Sequence, residues 1–291
     1  MAVAAVSCAN DDSAQRSAGQ EQSEQEQSAQ TDPEAAQPPG PCRETIEDAD
    51  GEPTAVHRLS YDEQGRRVEE RVVQPSDGTV DKIERKVYED GKLVREVVED
   101  PQSGREEPRT LAHVYDDRGM RVRTEEDFRG DPEPDTITRY SYDEQARLVR
   151  EVEDFDLDGQ PDSVFVQAFD EQDQLVRRTK YQGPPDEVEA PEWDQSFEYD
   201  DQGRRIARLE DSDADGDVDV RVEFTHDEHG NVVERTTDFT IQPGVDERVV
   251  FERTYDDQGR QVRVETYSVS PSGSHQLMSA TDFDYRCEDR E

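Results

Sequence analysis

The chain has little of what builds an ordinary globular core. Val, Leu, Ile and Phe together supply 52 of its 291 residues, and there are one Trp and three Met. Such a low apolar share, combined with a formal net charge of −41, is typical of chains that do not fold. Composition alone therefore argues against a large folded domain.

Lysine and long apolar runs are also scarce. The chain has 75 acidic residues against 34 basic ones, and only four of the basic residues are Lys. An acidic surface repels phosphate groups, so nucleic acid is excluded as an expected partner and an anionic membrane surface is disfavoured. No apolar segment is long enough to cross a bilayer as a helix, so any membrane link would run through a lipid anchor.

The usual catalytic signatures are missing as well. There is no phosphate-binding Gly loop followed by Lys, no Cys-x-x-Cys and no Ser in a nucleophile elbow. Among the five His residues only His226 and His229 are near each other in sequence. Acidic residues are so abundant that pairs of nearby carboxylates are expected by chance, and such a pair is not evidence for a glycosidase. The chain is predicted not to be an enzyme, and a carbohydrate-processing enzyme using loop carboxylates is kept as an alternative.

What the chain does have is a repeat. An aromatic residue, an Asp, a short turn that usually holds Gly, and a basic stretch with Val recur at intervals of 27 to 30 residues. This period is typical of stacked supersecondary units, in which sparse apolar residues still meet because each unit adds to its neighbour. The anchors of the repeat are Tyr61, Tyr88, Tyr115, Tyr142, Phe169, Tyr199, His226, Tyr255 and Tyr285.

Each unit is predicted to be a β-hairpin. Segments such as 163–169 are rich in β-branched and aromatic residues, and turns such as 62–65 and 200–203 offer Asp and a Gly that tolerates positive φ. The predicted fold is all-β: antiparallel hairpin repeats of about 27 residues forming one long curved or closed sheet over residues 42–291. Closure would need roughly 18 strands.

The phrases that begin at Tyr61, Tyr199 and Tyr255 (Tyr-Asp-Glu-Gln-Gly-Arg or Tyr-Asp-Asp-Gln-Gly-Arg) resemble the YD repeat of bacterial RHS proteins and the related teneurins. The similarity covers about residues 55–287. In that family the repeats form long antiparallel sheets that can wind into a hollow shell, and some members act at cell surfaces. The resemblance therefore implies an envelope or secreted location.

The N-terminal 41 residues form a separate region. A short apolar run ending at Ser7-Cys8 resembles the end of a bacterial lipoprotein signal, which would make Cys8 the lipidated N-terminus. The alternative is an ordinary N-terminus with a chance Cys. The stretch that follows is rich in Gln, Ser, Glu, Ala and Pro and is predicted to be a disordered tether.

Two loops between repeats carry alternating carboxylates around a Gly. Ca²⁺ prefers six to eight oxygen ligands, and this pattern is similar to the calcium loops of EF-hand proteins, although Phe165 and Val222 stand where a bidentate Glu would complete one. The sequence predicts structural Ca²⁺, with solvated acidic turns as the alternative. The predicted ligands are Asp154, Asp156, Asp158 and Asp162 in one loop and Asp211, Asp213, Asp215, Asp217 and Asp219 in the other.

Cys42 and Cys287 lie at the two ends of the repeat array. A disulfide between them would hold the first and last strands together in an oxidising compartment, and two separate thiols are the alternative. The leading functional hypothesis is a non-enzymatic protein of the bacterial cell envelope, lipid-anchored or secreted, that binds a surface protein or glycan. A purely structural or protective repeat shell is the second hypothesis.

Overall fold

The computed structural model describes residues 40–286 except 106, 132, 189 and 240–243. Eighteen strands follow one another along the chain, and the described residues contain no helix. Among them there is therefore no helix long and apolar enough to span a membrane. The strands are β1 (Arg43–Asp48), β2 (Pro53–Tyr61), β3 (Arg67–Val73), β4 (Val80–Glu89), β5 (Lys92–Glu99), β6 (Arg109–Tyr115), β7 (Arg121–Asp127), β8 (Thr136–Tyr142), β9 (Leu148–Asp154), β10 (Ser163–Phe169), β11 (Leu175–Tyr181), β12 (Trp193–Tyr199), β13 (Arg205–Asp211), β14 (Val220–His226), β15 (Val232–Asp238), β16 (Glu247–Tyr255), β17 (Gln261–Val269) and β18 (His275–Asp284).

The strands form one closed antiparallel sheet. Each strand pairs with the next, and β18 pairs in turn with β1 over six residue pairs from Arg43 with Asp284 to Asp48 with Ser279. Within the described part of the chain, every strand lies close to its two sheet neighbours and to no other strand. The predicted fold class is confirmed, including closure and the strand number. Closure leaves no unpaired edge that could recruit another chain.

Because the strands alternate in direction, their connections collect at two rims. One rim, called the turn rim here, carries the tight hairpin turns that follow the even-numbered strands, such as 62–66 and 200–204. The other, called the loop rim, carries the more variable loops that follow the odd-numbered strands, such as 155–162 and 212–219. Ala146 and Asp173 take the place of the turn Gly in two hairpins and adopt its left-handed conformation, with φ of 65° and 62°.

The anchors join each hairpin to the one before it. The Tyr142 hydroxyl donates to the Arg121 carbonyl at 2.7 Å, and Tyr115 and Tyr199 donate in the same way to Leu93 and Leu175 at 2.7 and 2.8 Å. Tyr61, Tyr88 and Tyr285 likewise donate to backbone carbonyls, whereas the Tyr255 hydroxyl accepts from Asn231 Nδ2 and the anchors Phe169 and His226 have no hydroxyl group. These bonds fix the step between successive repeats.

The two faces of the sheet differ in exposure. The face that carries the anchors is the less exposed one: Glu70 and Glu96 on it are 14% and 20% exposed, whereas Arg71 and Arg177 on the opposite face are 46% and 59% exposed. This is the expected difference between the concave and convex sides of a closed sheet. We call the anchor face the inner face.

The apolar core is thin, as the composition requires. Ten apolar residues are buried among those described, and most other strand positions are half-buried. The sheet is held instead by its continuous backbone ladder and by ion pairs across strands. The buried apolar residues are Val56, Leu59, Val73, Val164, Phe197, Ala207, Val222, Val249, Val269 and Ala280.

Candidate calcium-binding loops

Four nine-residue segments of the loop rim share one frame: 127–135, 154–162, 211–219 and 238–246. Each begins and ends with Asp, and the last Asp folds back so that its Oδ2 accepts the backbone N–H of the second residue. Such a bond closes the loop locally, as side-chain carboxylates commonly do in turns. The four bonds are Phe128 to Asp135 (2.8 Å), Phe155 to Asp162 (2.6 Å), Ser212 to Asp219 (2.7 Å) and Phe239 to Asp246 (2.8 Å).

Two of these segments bring three carboxylates together. In segment 154–162 one oxygen each from Asp154, Asp156 and Asp162 lies within 4.8 Å of the others. In segment 211–219 the corresponding group is formed by Asp211, Asp213 and Asp215. Grouped carboxylate oxygens at this separation are a suitable starting set of ligands for a hard cation such as Ca²⁺.

Asp154 distinguishes the first loop from an ordinary acidic turn. It closes β9, its side chain is almost fully buried, and the residue is 1% exposed. Its Oδ2 has Arg139 Nη1 at 3.5 Å, whereas its Oδ1 is buried without a hydrogen-bond partner. A buried carboxylate oxygen without a partner costs free energy, and a cation held between Asp154, Asp156 and Asp162 would supply the missing interaction.

The second loop is satisfied more fully by its own backbone. The two carboxylate oxygens of Asp211 accept the N–H groups of Asp215 at 3.1 Å and Gly216 at 2.8 Å, and Asp213 accepts Asp215 at 3.3 Å. These bonds gather the loop around Asp211 without a cation. The loop therefore offers a more exposed and less demanding site than segment 154–162.

Segment 127–135 shows the same frame with its own cation. Asp135 is 4% exposed, and Arg129 Nε lies against its Oδ1 as an ion pair, although that oxygen, like Asp154 Oδ1, has no hydrogen-bond partner. Arg129 occupies the third position of the segment, where the other two segments have Asp156 and Asp213. A guanidinium group thus stands where the acidic loops present a third carboxylate.

The two acidic loops have left-handed backbone conformations at the same two positions. Their fourth residues, Leu157 and Ala214, have φ of 61° and 54°, and their sixth residues, Gly159 and Gly216, have φ of 87° and 100°. Non-Gly residues rarely adopt this left-handed conformation, which costs about 1 kcal/mol or more when unsupported. The two loops follow the same path although only their Asp and Gly residues agree.

Not every predicted ligand joins the groups. Asp158 Oδ1 accepts the Gln160 N–H at 2.7 Å, and Asp219 Oδ2 closes its loop as Asp162 Oδ2 does, but neither Asp158 nor Asp219 belongs to a group of three. Asp217 likewise stands apart from the group formed by its loop. Sequence spacing did not reveal Arg129, since a lone Arg in a loop gives no sign of what it faces.

The predicted cysteine chemistry lies partly outside the described residues. Cys8 and Cys287 both fall there, so lipidation and the disulfide stay predictions. Cys42 is described, and its backbone N–H donates to the Asp284 carbonyl at 2.7 Å. Asp284 precedes position 287 by three residues in the sequence.

Comparison with known proteins gives weak similarities. No family model and no curated protein matches the chain. Solved structures with a similar arrangement include a porin-like protein from Bacteroides uniformis (12% identity, TM-score 0.45, 85% of this chain and 96% of that one) and one from Bacteroides vulgatus (12%, 0.39, 85% and 99%). The Tc holotoxin pore of Photorhabdus luminescens matches over 79% of this chain but 15% of that one, with 13% identity and a TM-score of 0.32. These values are too low to assign a family or a function.

Proposed function

We propose that this chain is a non-enzymatic, YD-repeat-like binding protein of the bacterial cell envelope, or a secreted one, whose loop rim is stabilised by Ca²⁺. Its partner is a surface protein or a glycan, and its membrane link, if it has one, is the lipid on Cys8. The observation that carries the calcium part is that Asp154 has a buried Oδ1 without a hydrogen-bond partner and contributes one oxygen to a group of three carboxylates.

The inner face supports a binding role over a purely structural one. A protective shell filled by its own side chains would be apolar inside, whereas this face carries charged residues such as Glu70, Lys86 and Arg178 that are 14 to 33% exposed. Polar, partly solvated side chains on a concave surface are available to a ligand. The anchor rings are not free platforms for sugars, since cations already lie over several of them, such as Arg66 over Tyr88 at 4.4 Å.

An enzyme is the less supported alternative. A cavity of about 480 Å³ lies where β18 meets β1, and its acidic lining residues include Asp282 and Asp284. Both are already paired with Arg: Arg263 Nη1 lies 2.7 Å from Asp282, and Arg286 Nε lies 2.9 Å from Asp284. A general acid needs a carboxyl group whose pKa is raised, and the Arg286 side chain instead lowers the pKa of Asp284.

Calorimetry of the full chain with Ca²⁺ or with a chelator tests the calcium proposal. A ligand at a hundred times its Kd stabilises the folded state by about 2.7 kcal/mol, so the unfolding temperature should rise by roughly 5 to 10 °C. An unchanged unfolding temperature at millimolar Ca²⁺ would remove calcium from the proposal. A glycan array and capture by purified bacterial surface fractions test the binding role, and failure of both would leave only the structural shell.

The disulfide belongs to the same proposal, because an envelope or secreted location is oxidising. Mass spectrometry of the unreduced chain after proteolysis should show a peptide that links Cys42 to Cys287. Two separately alkylated thiols in freshly secreted protein would contradict the disulfide and leave the backbone pairing of β1 with β18 unaffected.

A further inference from the structure

At one equivalent position of the repeat, on the inner face, the charge of the residue differs between the first and the second half of the sheet. In every hairpin the residue two before the anchor pairs directly with a residue of the second strand, and paired residues share a face. The first half of the sheet has mostly Glu at that second-strand position, and the second half has Arg in three of its four hairpins. In chain order the position is occupied by Glu70, Glu96, Thr124, Glu151, Arg178, Arg208, Arg235 and Val264.

The change produces a basic region inside a strongly acidic protein. On the inner face of β10 to β15 the basic residues are Arg178, Lys180, Arg208 and Arg235, together with Arg205 at the turn rim, and Glu210 is the one acidic residue among the described strand positions. We call Arg178, Arg208 and Arg235 the arginine arc. Part of this charge is neutralised from outside these strand positions: Glu192 Oε2, just before β12, lies 2.8 Å from Lys180 Nζ.

The arc is only partly neutralised by its neighbours. Arg178 Nη2 lies 3.3 Å from Glu151 Oε2, and Arg208 Nη2 lies 4.0 Å from Glu210 Oε2. Arg235 has no ion-pair partner among the described residues. The Nε atoms of all three are buried without a hydrogen-bond partner.

Aromatic rings hold the cations of this region in place. The Arg178 guanidinium lies 4.3 Å from the centre of the Phe165 ring, and Lys180 lies 6.0 Å from the same ring. Arg205 lies between Phe197 and Phe224 at 5.6 and 5.4 Å. A cation stacked on a ring keeps its outward N–H groups available and loses less conformational entropy when an anion binds.

The arc also has a regular spacing. Its members lie on β11, β13 and β15, and each is two strands and about two residues away from the previous one. With neighbouring strands about 4.8 Å apart and a rise of about 3.3 Å per residue, successive Arg residues are roughly 10 to 12 Å apart. A matching ligand carries anionic groups at widely and evenly spaced positions.

We infer that the arginine arc binds an acidic glycan, a polysaccharide that bears carboxylates on alternate sugars. The inference deepens the proposed binding role and rests on it. Arg forms paired hydrogen bonds with carboxylates, and the same face presents Gln167 and Trp193, which can meet sugar hydroxyls and a sugar ring. A polynucleotide fits less well, because its phosphates are closely spaced and the rest of this surface repels them.

Binding of hyaluronan oligosaccharides to the full chain tests the inference, since hyaluronan has a carboxylate on every second sugar. Calorimetry should show binding that weakens as salt is added. The carboxyl-reduced oligosaccharide should bind at least about tenfold more weakly, because each lost charged hydrogen bond is worth that factor or more. Equal binding of the reduced form, or tighter binding of a single-stranded DNA of the same charge, would overturn the inference.

A matched pair of triple variants locates the site. Replacing Arg178, Arg208 and Arg235 by Gln should reduce hyaluronan binding at least about tenfold. The control replaces three outer-face residues by Gln, Arg177, Arg221 and Arg248, which removes the same net charge, and its binding should be unchanged. Circular dichroism melting confirms that both variants fold, and equal losses of binding in the two would show a nonspecific charge effect and contradict the assignment.

The outcomes separate this inference from the proposed function. Binding of neutral glycans alone, with the calcium-dependent rise in unfolding temperature intact, would refute the arc as an acidic-glycan site and leave the proposed function standing. Absence of both calcium stabilisation and partner binding would refute the proposed function as well.

Discussion

Aspartate side chains at the two rims of the sheet differ in how their carboxylate oxygens are bonded. At the turn rim Asp62 is satisfied within its own hairpin: its Oδ1 accepts the N–H groups of Gln64 and Arg66 at 3.0 and 2.9 Å, and its Oδ2 accepts Arg66 Nε at 2.7 Å. At the loop rim Asp154 has a buried oxygen without a partner and two more carboxylates beside it. Asp62 thus has a cation within its own turn, whereas the cation beside Asp154, Arg139, lies 3.5 Å from Oδ2 and leaves Oδ1 without a hydrogen-bond partner.

Segment 127–135 shows that this difference depends on single residues. It has the same frame as the acidic loops and lies on the same rim, yet Arg129 gives it a local cation against Asp135. The comparison teaches that exposed Asp residues in this frame can be satisfied by backbone N–H groups, whereas a buried Asp such as Asp135 or Asp154 gains from a positive charge beside it. The predictions below test that statement, from the largest expected effect to the smallest.

Removing the central carboxylate should abolish most of the calcium effect. In Asp154→Asn the calcium-dependent rise in unfolding temperature, roughly 5 to 10 °C for the native chain, should be largely lost, because the most buried ligand has gone. Without calcium the variant should be about as stable as the native chain, since a buried charge is removed together with its long ion pair to Arg139. Scanning calorimetry measures both. The control is Asp158→Asn, in the same loop but outside the carboxylate group, and an equal loss there would contradict the assignment of Asp154.

Removing the local cation should make segment 127–135 resemble the acidic loops. Arg129→Gln leaves the buried Asp135 carboxylate without its positive partner and should lower the free energy of unfolding by about 1 to 3 kcal/mol, as measured by urea denaturation. Arg129→Asp should do the same in chelator but bind one additional Ca²⁺ by titration calorimetry. If Arg129→Asp binds no additional ion, the shared frame does not create the site.

Acid should weaken the turn rim in a defined pH range. Hydrogen bonds from the backbone of Arg66 and Arg204, and then from their side chains, lower the pKa of Asp62 and Asp200. A carboxylate whose pKa is lower in the folded state stabilises the fold above its unfolded pKa, about 3.9, and the stabilisation is lost as the pH falls through the folded value. NMR titration of the Asp62 and Asp200 side-chain carboxyl carbons should give midpoints below those of Asp in peptides. Midpoints equal to those of Asp in peptides would show that the hydrogen bonds within these turns do not stabilise the carboxylates.

The anchor bonds should have the smallest effect. Tyr142→Phe removes the hydroxyl group that donates to Arg121 and should lower the free energy of unfolding by about 1 kcal/mol, with or without calcium. Phe169→Tyr, at one of the two anchors that lack a hydroxyl group, provides the reverse change and should be neutral or slightly stabilising. A calcium-dependent effect of Tyr142→Phe would show that the two rims are coupled and would contradict their separation.

Much of this architecture follows from local sequence. A phrase such as Tyr199-Asp-Asp-Gln-Gly-Arg predicts its own hairpin, because the turn bonds of Asp200 join residues two and four positions apart. The acidic loops were predicted for the same reason, since their ligands are close along the chain. The nine predicted ligands stay predictions: the structure groups six of them, and Asp158, Asp217 and Asp219 are not among those six although their spacing resembles that of Asp156.

The sequence by itself determined the hairpins, their number and the acidic loops, because the interactions that form them connect residues within one repeat. Tertiary structure alone decided the remaining features: that Arg129 meets Asp135, that Asp154 is buried, and that Arg178, Arg208 and Arg235 share one concave face. The contact of Arg129 with Asp135 depends on the path of its own loop. The other two features depend on which strands become neighbours and which face turns inward, and both are settled only when the sheet closes on itself.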